Sequence, residues 1–474
     1  MSEVGLQAAR SALAGTRAWL VGGAVRDALL GRATADFDVV VAGDPAEAAR
    51  AVARAGGRAA AFALSEQFGS WRVVARDNSW QVDLERLRAE TIEGDLALRD
   101  FTVNAIAQPL AGGEPIDPLG GAADLRARRL RVAAPQAFVE DPLRVLRLAR
   151  VAVELGLQPD EEALRRGREQ AEGLAEVSGE RIFVELRRTL ATPDARAGIE
   201  LISRLGALAV ALPELEALRG IEQSQYHHAD VYEHTLEVLD RAVELTGTAG
   251  PACTEADPAT TPHRDSLAKL LTEPLADGLS RGEGLRWGAL LHDVAKPQTR
   301  EVRAGGRITF MGHDAAGEQL SRAILARLRT SERLRAHVAA LVRNHLRLGF
   351  LVHEPQPLAR RTVYRYLTAC APVAADVSVL SVADRLATRG RTSEQAIDAH
   401  LRVADQLLGE ALSWRETGPP EPLLRGDELA RELAIVPGPQ LGRLLDELAE
   451  ARYAGEVETP EQALAHARAA LARR

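Results

Sequence analysis

Apolar positions along the first 110 residues come in short blocks. Trp19-Leu20-Val21 is an unbroken apolar triplet, the signature of a buried strand. Ala24-Val25-Arg26-Asp27-Ala28-Leu29-Leu30 then reads as a helix, and Gly31 is placed to close it in a left-handed cap. Asp36-Phe37-Asp38-Val39-Val40-Val41 reads as a second strand. Pro45 to Ala55 reads as a helix; Trp71–Val74 and Trp80–Leu84 read as strands joined by an Asp77-Asn78-Ser79 turn. From about residue 136 the period changes to that of helices, and it stays helical to the end. The run Glu140–Arg150 reads as one helix with Pro142 in its first turn. Residues 246–266, rich in Gly, Pro, Thr and Ala, break the pattern and read as a flexible insertion. The pattern divides 474 residues into an α+β head (1–134), a helical neck (135–219), a helical body (220–400) and a helical tail (401–474).

Composition changes this picture little. No apolar run reaches the length of a membrane span, so no membrane partner is expected. The segment MSEVGLQAARSALAG lacks a basic start and a long apolar block, so no secretory signal is expected. Cys253 and Cys370 make neither a disulfide framework nor a zinc knuckle, and a cytoplasmic location is the default. The net charge of −8 weighs against nucleic-acid binding on average, although local clusters decide it.

Candidate chemistry begins at Gly22-Gly23, between the first strand and its helix. A backbone without side chains at a helix amino end can approach a phosphate closely, and Arg26 can clamp an anionic oxygen in a fork. In the second strand Asp36 and Asp38 share one face, because side chains alternate. Two carboxylates side by side repel unless a cation lies between them, and oxygen ligands of this kind suit Mg²⁺. Asp83, on another strand, is either a third carboxylate at that site or a strand-edge charge. A phosphate cradle beside a divalent-ion site is what nucleotidyl transfer needs.

Gly-Gly-x-x-Arg-Asp followed by Asp-x-Asp resembles the class II tRNA nucleotidyltransferases, the CCA-adding enzymes, and the bacterial poly(A) polymerases. The stretch Leu98–Ala105 matches the family's Arg-Arg-Asp-Phe-Thr-x-Asn-Ala, with Leu98 in place of the first Arg. The resemblance implies a polymerase-β-like head in which Arg99, Asp100 and Asn104 hold the nucleotide, Arg99 on the triphosphate and Asn104 on the ribose. Asp141 and Arg144, three apart, can present an acceptor and a forked donor together, or Asp141 can simply cap a helix. The family's Glu-Asp-x-x-Arg motif implies the first role, choice of cytosine or adenine by amino acids, with Arg147 and Arg150 also expected to bind the nucleotide. Ser178–Leu186 matches a helix expected to support this template. The resemblance implies tRNA, CTP and ATP as partners. A segment of only 15 residues separates Asp83 from Arg99; a short one is found in relatives that stop after two cytidines. The alternatives are a CC-adding or poly(A)-synthesising relative, or a phosphohydrolase with a nucleotide-sensing head.

In the body, His234, the adjacent pair His292-Asp293, His313, His345 and Asp384 occur in an order that resembles the HD phosphohydrolase superfamily. Mixed imidazole and carboxylate ligands suit Mn²⁺, Ni²⁺, Zn²⁺ or Fe better than Mg²⁺. His234, His292, Asp293 and Asp384 are the expected ligands, with His313 and His345 available for a second ion. Arg126–Arg131 is a basic cluster that either meets a tRNA backbone or is a solvated face.

Overall fold

The computed structural model describes residues 3–57, 59–65, 69–223, 229–247, 261–388 and 393–473. Most of the expected insertion at 246–266 therefore lies outside the described residues, as does part of the stretch that opens the body. Contacts divide the chain into two compact units. One holds Met1–Val177 with Ala197–Ala211, the other Ser178–Arg196 with Leu212–Arg474, so the residues expected as a neck are shared between them.

The first unit is built on one mixed sheet. Its strands are β1 (Ala18–Val21), β2 (Asp36–Val41), β3 (Ala60–Ser65), β4 (Ser70–Val74), β5 (Gln81–Arg86) and β6 (Ala107–Pro109), in the order β3-β4-β5-β2-β1-β6. β1 runs antiparallel to β2 with Val21 opposite Asp38, and β2 runs parallel to β5 with Asp38 opposite Asp83. β5 is antiparallel to β4 with Asp83 opposite Arg72. Cross-strand neighbours share a face, so Val21, Asp38, Asp83 and Arg72 form one row across four strands. The other face of β2 carries Phe37 and Val39, both buried. Along the polar face of β2, Val40 follows Asp38. It is buried with Trp19 and Val21 beneath Ile92 and Leu96 of the short helix Ile92–Leu96. One end of this face is thus covered by apolar side chains, and the other is left to the carboxylates.

The helix expected over Glu140–Arg150 is in fact two. Ala137–Glu140 ends before the proline, and Arg144–Leu155 begins after it. The residue before a proline avoids the helical region, and Asp141 is extended (φ −145°, ψ 96°).

The second unit is helical. Its main core joins Val231–Thr246, Arg281–Leu291, Glu332–Asn344, Arg360–Ala369, Ala374–Ala387 and Ser393–Thr417 through buried aliphatic side chains such as Val238, Leu285, Leu341, Leu367, Leu380 and Leu407. A second cluster, from Leu429 to Ala470, holds the tail helices together. The helix Gly179–Ala191, expected to support the base-selecting motif, belongs to this unit. Phe183 stacks on Trp287 at 5.6 Å, and Arg286 Nη1 donates to the Leu190 carbonyl at 2.8 Å. Among the described residues no single helix is long and apolar enough to cross a membrane. A bent pair, Arg360–Ala369 with Ala374–Ala387, has the length and composition, but its apolar residues are core.

Candidate functional site

The head site starts at Gly22. Its φ of +68° suits glycine, and it caps the helix Gly23–Leu29. A side chain here would lie 3.2 Å from Arg99 Nη1 and 3.4 Å from Asp38 Oδ2. Arg99 and the Asp38 carboxylate therefore converge over a bare backbone. Arg26, one turn into the helix, donates to Asn104 Oδ1 at 2.6 Å and to its neighbour Asp27 at 2.8 Å. Asn104 in turn donates to Asp100 Oδ1 at 3.0 Å. Asp100 is buried. It also accepts from the Phe101 amide at 2.8 Å, and Arg147 lies 3.3 Å from its other oxygen. Burial works to raise its pKa, but Arg147, Asn104, Phe101 and Arg144 outweigh that and hold it below the usual carboxylate range. Gly22, Gly23, Arg26, Arg99, Asp100, Asn104 and Arg147 are thus linked into one connected group.

Asp36 and Asp38 lie on the same face of β2, as alternation requires. Asp38 is pushed up to about 6, first by enclosure in the protein and then by Asp83, with Glu85 and Asp36 adding to it and Arg99 opposing. The side chain still presents surface to solvent, which is the route by which an ion would reach it. Asp38, raised by enclosure and by the carboxylates around it, marks a site short of positive charge, so the residues present fit a divalent cation. Asp83 sits beside Asp38, but both its oxygens are engaged by Arg72 Nε and Nη2 at 2.7 Å. A metal would compete with that fork for Asp83.

The side chain of Asp141 accepts from the Leu143 amide at 3.3 Å, the capping role. Arg144 reaches back to the Ala137 carbonyl at 3.1 Å and the Leu98 carbonyl at 3.4 Å, which ties this motif to the Arg99 stretch. Arg150 is buried and pairs with Glu154 at 2.5 Å, one turn further along its own helix. In the basic cluster, Arg129 and Arg131 both grip buried Asp124 at 2.7 Å.

The second site lies in the helical unit. His234 Nε2 is 3.1 Å from Asp384 and 3.8 Å from Asp293. His292 Nε2 is 3.1 Å from Asp293 Oδ2; His313 and His345 approach its other oxygen at 3.3 and 3.9 Å. The ligand atoms form two triads sharing Asp293, namely His234, His292 and Asp293, and Asp293, His313 and His345, each within 4.8 Å. The sequence explains why the rings point inward. Nδ1 of His292, His313 and His345 each lies 2.7–2.8 Å from a carbonyl three residues earlier, which leaves Nε2 for the centre. His292 Nε2 is buried and, although 3.1 Å from Asp293 Oδ2, makes no aligned hydrogen bond. Burial and then His292 push His345 down to about 4, so it is a neutral imidazole at pH 7. Asp293 is held well below the usual range: burial opposes this, but His292 and Lys296 outweigh it. His292, by contrast with His345, is raised: burial opposes this, but Asp293 outweighs it. Anionic Asp293 with imidazoles anchored at Nδ1 is a donor set that fits a divalent metal.

Four residues that matter here have no role in the sequence reading. Arg72 was visible only through the sheet register. Asp95, fully buried, lies 3.1 Å from Arg88 and 3.4 Å from Arg99. Lys296 was legible by spacing, since it stands three positions after Asp293, and its Nζ lies 2.6 Å from Oδ2. Arg385 follows Asp384 in a cavity wall, and no local pattern marks it.

These two centres mark a nucleotidyltransferase head and an HD-type unit with a candidate metal site in one chain. Residues 18–131 match the poly A polymerase head domain, 156–218 the probable RNA and SrmB-binding site of polymerase A, and 231–389 the HD domain. The chain is 39% identical over 454 residues to the A-adding tRNA nucleotidyltransferase of Deinococcus radiodurans, covering 94% of each protein. It is 35% identical over 455 residues to the CC-adding tRNA nucleotidyltransferase of Thermus thermophilus, 94% of this chain and 92% of that one. Its fold is also that of a CCA-adding enzyme solved with ATP, at a TM-score of 0.64 and 19% identity over 98% of this chain and 95% of that one. The chain belongs to the class II tRNA nucleotidyltransferase and poly(A) polymerase family, and it carries an HD domain.

Proposed function

We propose that this protein adds cytidine and adenosine from CTP and ATP to the 3′ end of tRNA without a nucleic-acid template. The observation that carries the reading is the convergence of Asp38 and Arg99 over the bare backbone of Gly22, with Asp36 on the same strand face. The terminal 3′-hydroxyl attacks the α-phosphate, and pyrophosphate leaves. Gly22, Gly23, Arg26 and Arg99 hold the triphosphate; Asn104, fixed between Arg26 and Asp100, meets the ribose. Asp141 and Arg144 select the base, with Arg147 holding Asp100 and Arg150 bracing the helix from within. Mg²⁺ bound by Asp36 and Asp38, and by Asp83 once Arg72 yields, would lower the pKa of the hydroxyl and offset charge on the phosphates. A cytoplasmic location follows from these substrates. The functional division is a head at 1–134, a neck at 135–219, an HD body at 220–400 and a tail at 401–474.

The test uses tRNA ending at the discriminator base, after C and after CC, each with CTP, ATP or both. Full CCA synthesis extends all three. A second reading has one observation behind it, the 39% identity to an A-adding relative: extension of only the CC acceptor, and only with ATP, would replace the first reading with the second.

For the body we propose a metal-dependent phosphoester hydrolysis. A divalent transition metal, Mn²⁺, Ni²⁺, Zn²⁺ or Fe, binds His234, His292, Asp293 and Asp384, and a second ion uses Asp293, His313 and His345. The support is the anchored Nδ1 atoms and the convergence of the donor atoms into two triads around Asp293. Metal analysis of purified protein together with assays on phosphomonoesters and phosphodiesters tests it. A metal-free protein inactive with every divalent ion would leave this unit a scaffold.

A further inference from the structure

The HD cluster opens into a cavity of about 390 Å³, enough for a phosphate bearing an organic group of nucleoside size. Its walls include His234, Asp293, Lys296, Asp384, Arg385 and His400. Two of these walls carry basic groups that are already committed. Lys296 Nζ lies 2.6 Å from Asp293 and donates to Gln223 Oε1 at 2.7 Å. His400 is buried, its Nε2 lies 3.1 Å from Ser381 Oγ, and burial pushes it down to about 4, so it is uncharged at neutral pH.

Arg385 differs. It lies in the last turn of Ala374–Ala387, one residue after the ligand Asp384, and is half-buried. Its Nε is shut away from solvent and has no hydrogen-bond partner among the described residues. Leaving a buried N–H of a guanidinium without an acceptor costs free energy. Asp384 on the preceding residue acts on it electrostatically, but that carboxylate is engaged by His234 at 3.1 Å. An arginine offers a planar fork matched to two oxygens of a phosphoryl group. We propose that Arg385 is the anion-binding residue of this cavity, holding the non-bridging oxygens of a phosphoester beside the metal cluster. The proposal rests on the phosphoester reading of the HD unit. It assigns substrate grip to Arg385 and leaves Lys296 to position Asp293.

The test uses the full-length protein, equilibrated with Mn²⁺, titrated calorimetrically with inorganic phosphate, and assayed with p-nitrophenyl phosphate. Arg385→Gln is expected to weaken phosphate binding by about tenfold or more, with manganese content unchanged. Arg385→Lys should recover part of the loss, because it restores the charge without the fork. In hydrolysis KM should rise more than kcat falls. Addition of nucleotides to tRNA by the same variants reports that they are folded; if Arg385→Gln does not fold, Arg385→Lys carries the comparison. Phosphate binding that is equal in wild type and variant, with manganese bound, overturns the assignment while the metal reading stands. A wild type that holds no manganese, yet loses phosphate on substitution, keeps the anion site and removes the metal-dependent reading instead.

Discussion

Asp38 is where function and stability conflict. Its carboxyl is pushed up to about 6, chiefly by enclosure and by Asp83. An acid raised on folding destabilises the folded state above its unfolded pKa of about 4, and the cost is complete once pH exceeds the folded value. Two units amount to about 3 kcal/mol for a buried group; the exposed side of Asp38 reduces that to about 1 kcal/mol. In EDTA, Asp38→Asn should therefore melt higher than wild type at pH 7–8, with the gap closing as pH falls from 6 to 4. A gap independent of pH would mean that the carboxylates are not crowded as described. Asp38→Ala and Asp36→Ala should each abolish nucleotide addition. Asp141 and Arg144 are the other residues at issue, because in the present structure Asp141 caps a backbone amide and Arg144 bonds carbonyls. Substituting either by Ala should lower the preference for CTP and ATP over UTP and GTP by roughly 1–3 kcal/mol. The readout is kcat/KM for all four nucleotides, and unchanged selectivity returns Asp141 to its capping role.

Among the elements, the segment between Asp83 and Arg99 shows what a sequence withholds. Its shortness was legible, and so was the doubt that shortness casts on pocket rearrangement. Its anchoring was not. Asp95 looks like one more helix charge, yet it is fully buried between Arg88 and Arg99, while Ile92 and Leu96 cover Val40. Strand periodicity located β1, β2 and the shared face of Asp36 and Asp38, because a period of two is a local property. The partners Asp83 and Arg72 depend on register between strands distant in sequence, which no local pattern encodes. In the body, the candidate ligand histidines stood out by type and order, but the carbonyls that fix their tautomers are visible only once the helices are built. Asp95→Ala leaves two arginines without their acceptor. It should cost about 2–3 kcal/mol, below the figure for a fully buried pair because Arg88 is half exposed. Denaturant unfolding measures that loss. Because this carboxylate holds Arg99, which is proposed to meet the triphosphate, KM for the triphosphate should rise as well. A variant that loses stability with KM intact would confine Asp95 to a structural role.

On the scale of the whole molecule, one chain carries two centres built from different donor chemistry. The head offers carboxylate oxygens from Asp36 and Asp38, which suit a hard ion such as Mg²⁺. The body offers imidazole nitrogens with carboxylates, a set with higher affinity for transition metals. The two functions should therefore be separable in the intact protein without any mutation. A nitrogen chelator such as 1,10-phenanthroline binds Zn²⁺, Ni²⁺ and Fe²⁺ strongly and Mg²⁺ weakly. Protein treated with it and returned to Mg²⁺ alone should extend tRNA at the untreated rate and lose phosphoester hydrolysis. Adding back Mn²⁺ or Ni²⁺ should then restore hydrolysis. The His292→Ala variant, which deletes a candidate ligand nitrogen, should resemble the chelated protein and should not respond to the added ion. If chelation stops tRNA extension in the presence of Mg²⁺, the transferase depends on the transition metal, and the assignment of separate ions to the two centres fails.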